Sequence, residues 1–449
     1  MLSDECRVRM KRLHSSRAIP LWLLLLGWPV AALAAEPEVD VSALPPPAEE
    51  TSPRPAWLEK AGLGGFIRAD YYSASKRLDD QHSLPGLTFQ PKALPKFGSW
   101  GDAKIEGRIT DDNLRGPNRF WGRLLEGYAN FYFGSVDVRI GKQNIVWGRA
   151  DALNPTDVLT PKDFTLLSAK DEEERRIGTA GVKLNYYRNT YTLSLIWLPI
   201  FNPTTIPLTS PPGFRLIEDK RSQGKWTDQG FAIKLDQTGG TVDWSVSYYY
   251  GLDLFPVGRP LGSTHTLLVH NRIHMVGADF ARTFGRFGAR GEAAYVHTQD
   301  PQGTDPFIKN PYFYYVLGAD HDVTEDLNIN LQAYQRIIVN YQDMFQIQDP
   351  VVRNVAVLNV IFNQQLDRVQ EGISGRIKAT GLNKTLEAEL LGVWNANRSD
   401  FFLRPSVAYA FTDVWKGFIG WDIFNGRRQS FNGFFQPMTA FFVELRATF

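Results

Sequence analysis

From residue 64 to the C-terminus, apolar and polar positions alternate with period two in segment after segment. In residues 126–133 one face reads Glu126, Tyr128, Asn130 and Tyr132, the other Gly127, Ala129, Phe131 and Phe133. Residues 181–186, 289–295, 327–336 and 373–379 repeat the pattern. Lys183, Arg290, Glu292, Arg336, Arg376 and Lys378 stand on the polar faces, with Val, Leu, Ile, Ala or Gly between them. This is the periodicity of strands wetted on one face and apolar on the other. Short links at 134–135, 188–189, 239–240, 285–286, 322–326, 381–384 and 413–416 alternate with long ones at 148–176, 199–228, 252–270, 298–310, 340–368 and 425–438. Short turns at one end and long loops at the other are the layout of a transmembrane antiparallel β-barrel.

The last strand is the sharpest. Counting back from Phe449, every second residue is apolar: Ala447, Leu445, Val443 and Phe441. Glu444, Arg446 and Thr448 lie between them. A terminal aromatic on such a strand resembles the insertion signal of bacterial outer-membrane proteins, read by the barrel-assembly machinery. The resemblance assigns Phe441, Val443, Leu445 and Phe449 to assembly.

A single-chain bacterial barrel has an even number of strands. With the C-terminus periplasmic, both 64–73 and 100–110 run outward, so a descending strand is required between residues 74 and 99. Residues 87–97 are the candidate, and Pro91 and Pro95 predict a poor, edge-like strand there. The expectation is about 18 strands over residues 63–449, with 16 as the alternative.

The N-terminus sets the compartment. Lys11, Arg12 and Arg17 precede the apolar run 21–30, and Ala32-Leu33-Ala34 closes it with a small-x-small site. This predicts a secretory signal peptide over residues 1–34, with Met10 as a candidate start, and hence an outer-membrane destination after Sec-type secretion. Residues 35–62 form a Pro-rich segment expected to be a periplasmic linker. Cys6, the single cysteine, falls in the leader, so the mature chain is expected to have no disulfide, thiolate metal site or cysteine nucleophile.

Composition adds little until it is combined with the pattern. Net charge is +1, which gives no reason to expect nucleic acid as a partner. Mean hydropathy is −0.26, yet 13% of residues are aromatic. Strands that alternate lipid-facing and water-facing residues produce that combination. A barrel of 16 to 18 strands encloses an aqueous lumen. Its inward positions carry Arg68, Asp70, Lys104, Glu106, Arg108, Glu126, Asp137, Arg139, Lys183, Lys234, Arg290, Glu292, Arg336, Arg376, Lys378, Glu387, Glu389, Glu444 and Arg446. Such charges require water, or ladders of cross-strand partners, or both. Basic groups slightly outnumber acidic ones, which tilts any ion preference toward anions.

Residues 141–157 read GKQNIVWGRADALNPTD and open a long loop. The stretch resembles a motif of porin-like proteobacterial barrels, including an uncharacterised family found beside export systems. The broader class includes the alginate-export barrels, whose arginine-lined lumen this chain does not match in sign. The resemblance implies fold and location, not solute. If the loop folds inward, Arg149, Asp151, Asp157, Lys162 and Asp163 line a constriction; the alternative is a structural loop packed on the rim. Asn154-Pro155 starts a turn, and Asp157 is placed to cap it.

These residues predict an outer-membrane channel for small polar or charged solutes, with lipid as surroundings, no cofactor and no metal. The alternatives are a transporter of hydrophobic molecules, suggested by Phe255, Phe313, Phe401 and Phe402, an export-system partner barrel, or an outer-membrane hydrolase. Those four aromatics read more simply as interface girdles. Against a hydrolase, no G-x-S-x-G sits at a strand-to-helix turn. His270 and His274 share a strand face in this reading and fall about 13 Å apart, too far for one metal.

Overall fold

The computed structural model describes residues 61–74, 84–112, 120–151, 153–166, 172–206, 215–218 and 226–449. The expected signal peptide, and the Pro-rich segment up to residue 60, lie outside the described residues.

In chain order the strands begin with β1 (Gly64–Ala74), β2 (Leu84–Ala93), β3 (Gly101–Asp112), β4 (Phe120–Phe133), β5 (Val136–Gln143), β6 (Thr179–Arg188) and β7 (Tyr191–Leu198). Then come β8 (Arg215–Glu218), β9 (Gly230–Gln237), β10 (Asp243–Leu252), β11 (Val257–Pro260), β12 (His265–Val269), β13 (Arg272–Phe284) and β14 (Phe287–Thr298). The last are β15 (Tyr312–Asp322), β16 (Leu327–Ile338), β17 (Val369–Gly381), β18 (Leu386–Asn395), β19 (Asp400–Ala410), β20 (Trp415–Asn425) and β21 (Ala440–Thr448). β8, β11 and β12 form a small separate sheet among the long loops; the other strands close into one 18-stranded antiparallel barrel.

Closure follows from the terminal strand. β1 pairs with β21 from Phe66↔Thr448 to Ala74↔Ala440. Gly65 and Phe449 exchange both backbone hydrogen bonds, at 3.1 and 3.0 Å, so the last residue seals the seam. Phe441, Val443 and Leu445 alternate with the inward Phe442 and Glu444, and Val443 and Leu445 are exposed on the outer face. Along the whole wall the open face is apolar (Ile67, Phe89, Val276, Leu317, Leu331, Ile377), while Arg68, Asp279, Glu292, Asn330 and Asp422 are buried inside. A soluble protein inverts that arrangement; a barrel in lipid requires it.

The strand required between residues 74 and 99 is β2, shifted a few residues toward the N-terminus. It is not an edge: it pairs with β1 on one side and β3 on the other. Pro91 is tolerated because the ladder to β3 lapses at Gln90 and Pro91 and resumes at Lys92↔Glu106 in the same register. Pro95 lies beyond the strand. The long connection after β16 contains the helix Pro350–Phe362. Asp349 caps it, accepting from the backbone N–H of Val351 and Val352, and Pro350 occupies its first turn. Asn359 clamps the helix to β11 through both backbone groups of Gly258, at 2.6 and 2.9 Å.

Candidate functional site: a loop folded across the lumen

The described residues between β5 and β6 turn into the barrel instead of standing on its rim. Its ion pairs trace the path. Arg149 reaches Asp279 on β13 and Asp236 on β9. Asp151 reaches Arg290 on β14 at 3.2 Å and Arg376 on β17 at 3.4 Å. β17 stands nine places round the ring from β5 (positions 14 and 5 of 18), which is half the circumference. The chain then returns: Asp163 meets Arg123 on β4, and Glu174 meets Arg68 on β1 and Arg446 on β21.

The residue types of the 141–157 motif follow from this docking. Gly141 has φ +132°, and a Cβ there would lie 2.3 Å from the Gly127 carbonyl, so only glycine lets β5 pass β4 so closely. Gln143 is fully buried and donates to the Gly181 carbonyl. Trp147 is buried with Ile145, Leu159, Ile196, Met275 and Val296, a dry cluster that fixes the root of the loop to β7, β13 and β14. Gly148 has φ +92°, and a Cβ would meet the Glu292 carboxylate at 2.2 Å. That carboxylate is the main anchor. Its Oε2 accepts from the backbone N–H of Arg149 (3.1 Å) and Ala150 (3.2 Å), and its Oε1 from the Thr156 N–H (2.7 Å) and hydroxyl (2.8 Å). A buried carboxylate is tolerable when donors surround it in this way. Asp157 joins Arg176 and Lys162 at 2.9 and 3.2 Å, tying the loop to itself.

The residues expected at a constriction are thus on one inward loop, and each is engaged in an ion pair. Asp157 and Asp163 are nearly fully covered. Arg108 lies beneath the loop, donating to Gln90 and to the Glu174 carbonyl. Arg139 stacks on Tyr128 on the wall of β4 and β5, and Lys183 is paired in register beside it on β6. Arg376 and Lys378 remain the most open, about 40% and 45% exposed, with Lys378 facing Glu387 across the strand pair. Charge ladders and open charges therefore coexist: the ladders gather under the loop around Arg68, Glu174 and Glu444, and the open groups lie on β17.

Sequence reasoning missed the partners Asp236, Asp279 and Glu174, and it misplaced two aromatics. Phe402 is not in a girdle. It shares the inward face with Arg404 and packs on Phe424 at 4.8 Å. Phe255 is in a loop against Phe164 at 5.5 Å. Phe313 does face outward. His274 lies on the outer face beside Tyr248, while His270 precedes β13 and bonds the Asp253 carbonyl. Among the described residues no group of three or more His, Cys, Asp or Glu side chains is placed to hold a metal.

Where the loop does not fill the lumen, a chamber of about 320 Å³ remains against the inner wall of β15–β20. Leu153, Lys162 and Phe164 of the loop form one side. Tyr314, Tyr334, Leu391, Val393, Phe402 and Phe424 form the other, with Phe431 above. On β18 the inward residues change along the strand, from Glu387 and Glu389 near the short turn to Leu391 and Val393 at the chamber.

No family model and no curated protein sequence matches the chain. Among solved structures, OccAB1 of Acinetobacter baumannii superposes with a TM-score of 0.53 at 10% identity, covering 87% of this chain and 97% of that one. OccK8 (OprE) of Pseudomonas aeruginosa gives 0.51 at 11% identity, covering 87% and 98%. OccAB2 of A. baumannii gives 0.51 at 10% identity, covering 88% and 99%. Identities this low speak for architecture, and they agree with the closed ring of strands. The chain has the fold of the outer-membrane porin barrels.

Proposed function

We propose that the protein is a passive channel of the outer membrane, whose path is narrowed by the inward loop to a passage along β15–β20. The observation that carries this is the loop itself. A barrel of this strand number would be wide open, and here a segment crosses half the ring and is fastened at both ends of its path by ion pairs. Ion pairs inside a wet lumen hold geometry rather than add much stability. Their role is to keep the remaining opening at one size. The solutes are small and enter at the long-loop side, which in barrels of this fold faces outward. Refolded protein in planar bilayers is expected to carry a steady ionic current. A silent bilayer with folded protein contradicts the proposal.

A further inference from the structure

The channel reading says nothing of what passes, and the chamber does. Its wall is unlike the charged inner face around Arg68, Glu174 and Glu444: Phe402, Phe424, Phe431, Leu391 and Val393 present rings and aliphatic groups to it. Its basic neighbours Arg404, Arg398 and Lys162 are already engaged. Arg404 holds Asp422 through two hydrogen bonds at 2.5 and 3.0 Å. Arg398 holds Asp367 through two at 2.8 Å, and Lys162 is paired with Asp157. Asp400 accepts from the Asn395 amide and the Asn432 N–H, and Glu371 from the Gln335 amide, so the charge left at the margin is acidic and none is offered to an anion. The apolar surface also continues upward: Phe431 and Phe424 belong to one cluster with Phe362, Phe434 and Phe435, where the Pro350–Phe362 helix roofs the wall. In a water-filled pore such a surface is costly unless something apolar covers it. The chamber is roughly twice the ~150 Å³ apolar cavity that admits a benzene ring.

We propose that the chamber is a binding site for a neutral, mostly apolar ring compound of two or three rings, taken up on its way through the channel. This rests on the channel reading, and the experiment separates the two. Stacking and edge contacts from Phe402 and Phe424 hold the rings. Tyr334 and Asn395, which are hydrogen-bonded to each other, stand at the polar margin where a single hydroxyl would sit.

The probe is 1-naphthol, set against 2-naphthalenesulfonate and mannitol. In planar bilayers 1-naphthol is expected to reduce the wild-type current reversibly. The sulfonate should act at least about tenfold more weakly, and mannitol not at all. The double variant Phe402→Ala/Phe424→Ala should need about tenfold more 1-naphthol for the same reduction. Val393→Trp, which fills the chamber, should abolish the effect. Heat-modifiable migration in gels establishes that each variant is folded. Equal or stronger action by the sulfonate, or unchanged 1-naphthol sensitivity in both variants, overturns the proposal. If the bilayer is silent, the channel reading fails but the site is still tested by equilibrium dialysis of 1-naphthol against the protein in amphipol. Saturable binding lost in the double variant supports the site; no saturable binding overturns it.

Discussion

Glu292→Ala tests the loop where it is most firmly held. The wild-type carboxylate is 3% exposed and collects four donors from residues 149–156. A hydrogen bond to a charged group contributes about 1.5–3 kcal/mol net, and a neutral one about 0.5–1.5. In the variant, water from the lumen can take the place of the carboxylate on the freed N–H groups, so the loss per bond falls below the charged range. At about 0.75 kcal/mol each, the four sum to about 3 kcal/mol. That shifts the docked-to-released ratio of this stretch roughly a hundredfold. Arg149 still holds Asp279 and Asp151 still holds Arg290, so release is partial. In single-channel recording the variant should show frequent steps to higher conductance on the millisecond scale, absent from wild type. Glu292→Gln retains one acceptor but turns an amide N–H₂ toward the donors, and should fall between. If folded Glu292→Ala gives the wild-type distribution of conductances, either the anchor does not hold the loop or the loop does not limit the current.

Two further outcomes follow from the fold. Deleting Phe449 removes both hydrogen bonds to Gly65 and the ring stacked on Phe89 at 6.0 Å, so the amount of heat-modifiable protein in the outer membrane should fall severalfold; normal levels would contradict the assembly role of Phe441, Val443, Leu445 and Phe449. In a Cys6→Ser background, a cysteine at the exposed Ser263 should react with an impermeant maleimide on intact cells, and one at Asn189 or Gly240 should not; the opposite pattern would invert the barrel. Ser430, also in a long loop, is unsuitable because it is buried and caps the Phe431–Phe434 helix through Gly433.

The barrel was legible because its signal is redundant. A one-residue slip would expose every charge in a strand to lipid, so Arg290, Glu292, Arg376 and Lys378 fix the register of their own segments. β2 was harder, since Pro85, Pro91 and Pro95 blur its alternation, and strand parity rather than pattern required it. The Pro350–Phe362 helix was passed over as loop although Asp349-Pro350 is a helix start; its Val-rich face resembles a strand in composition. The inward turn of the described residues after β5 was not legible in the sequence, because the motif shows which residues are special and not what they touch. Arg149 and Asp151 look like filter charges in isolation. Only the register of β9, β13, β14 and β17 supplies Asp236, Asp279, Arg290 and Arg376 as their partners. The chamber was readable in part: Phe402 and Phe424 have the same parity as Arg404 and Asp422, which places them inside.

The central claim is that the inward loop, and not the barrel wall, sets the size of an open path. Single-channel conductance of refolded wild-type protein should be compared with a chain in which residues 145–176 are replaced by a short Gly-Ser link from β5 to β6. The replacement leaves the ring of strands closed and uncovers Glu292, Asp279, Arg68 and Arg446 to water. Steady conductance in the wild type, rising clearly in the replacement, is the predicted result. Equal conductance in the two folded proteins, or no conductance in either, would contradict it.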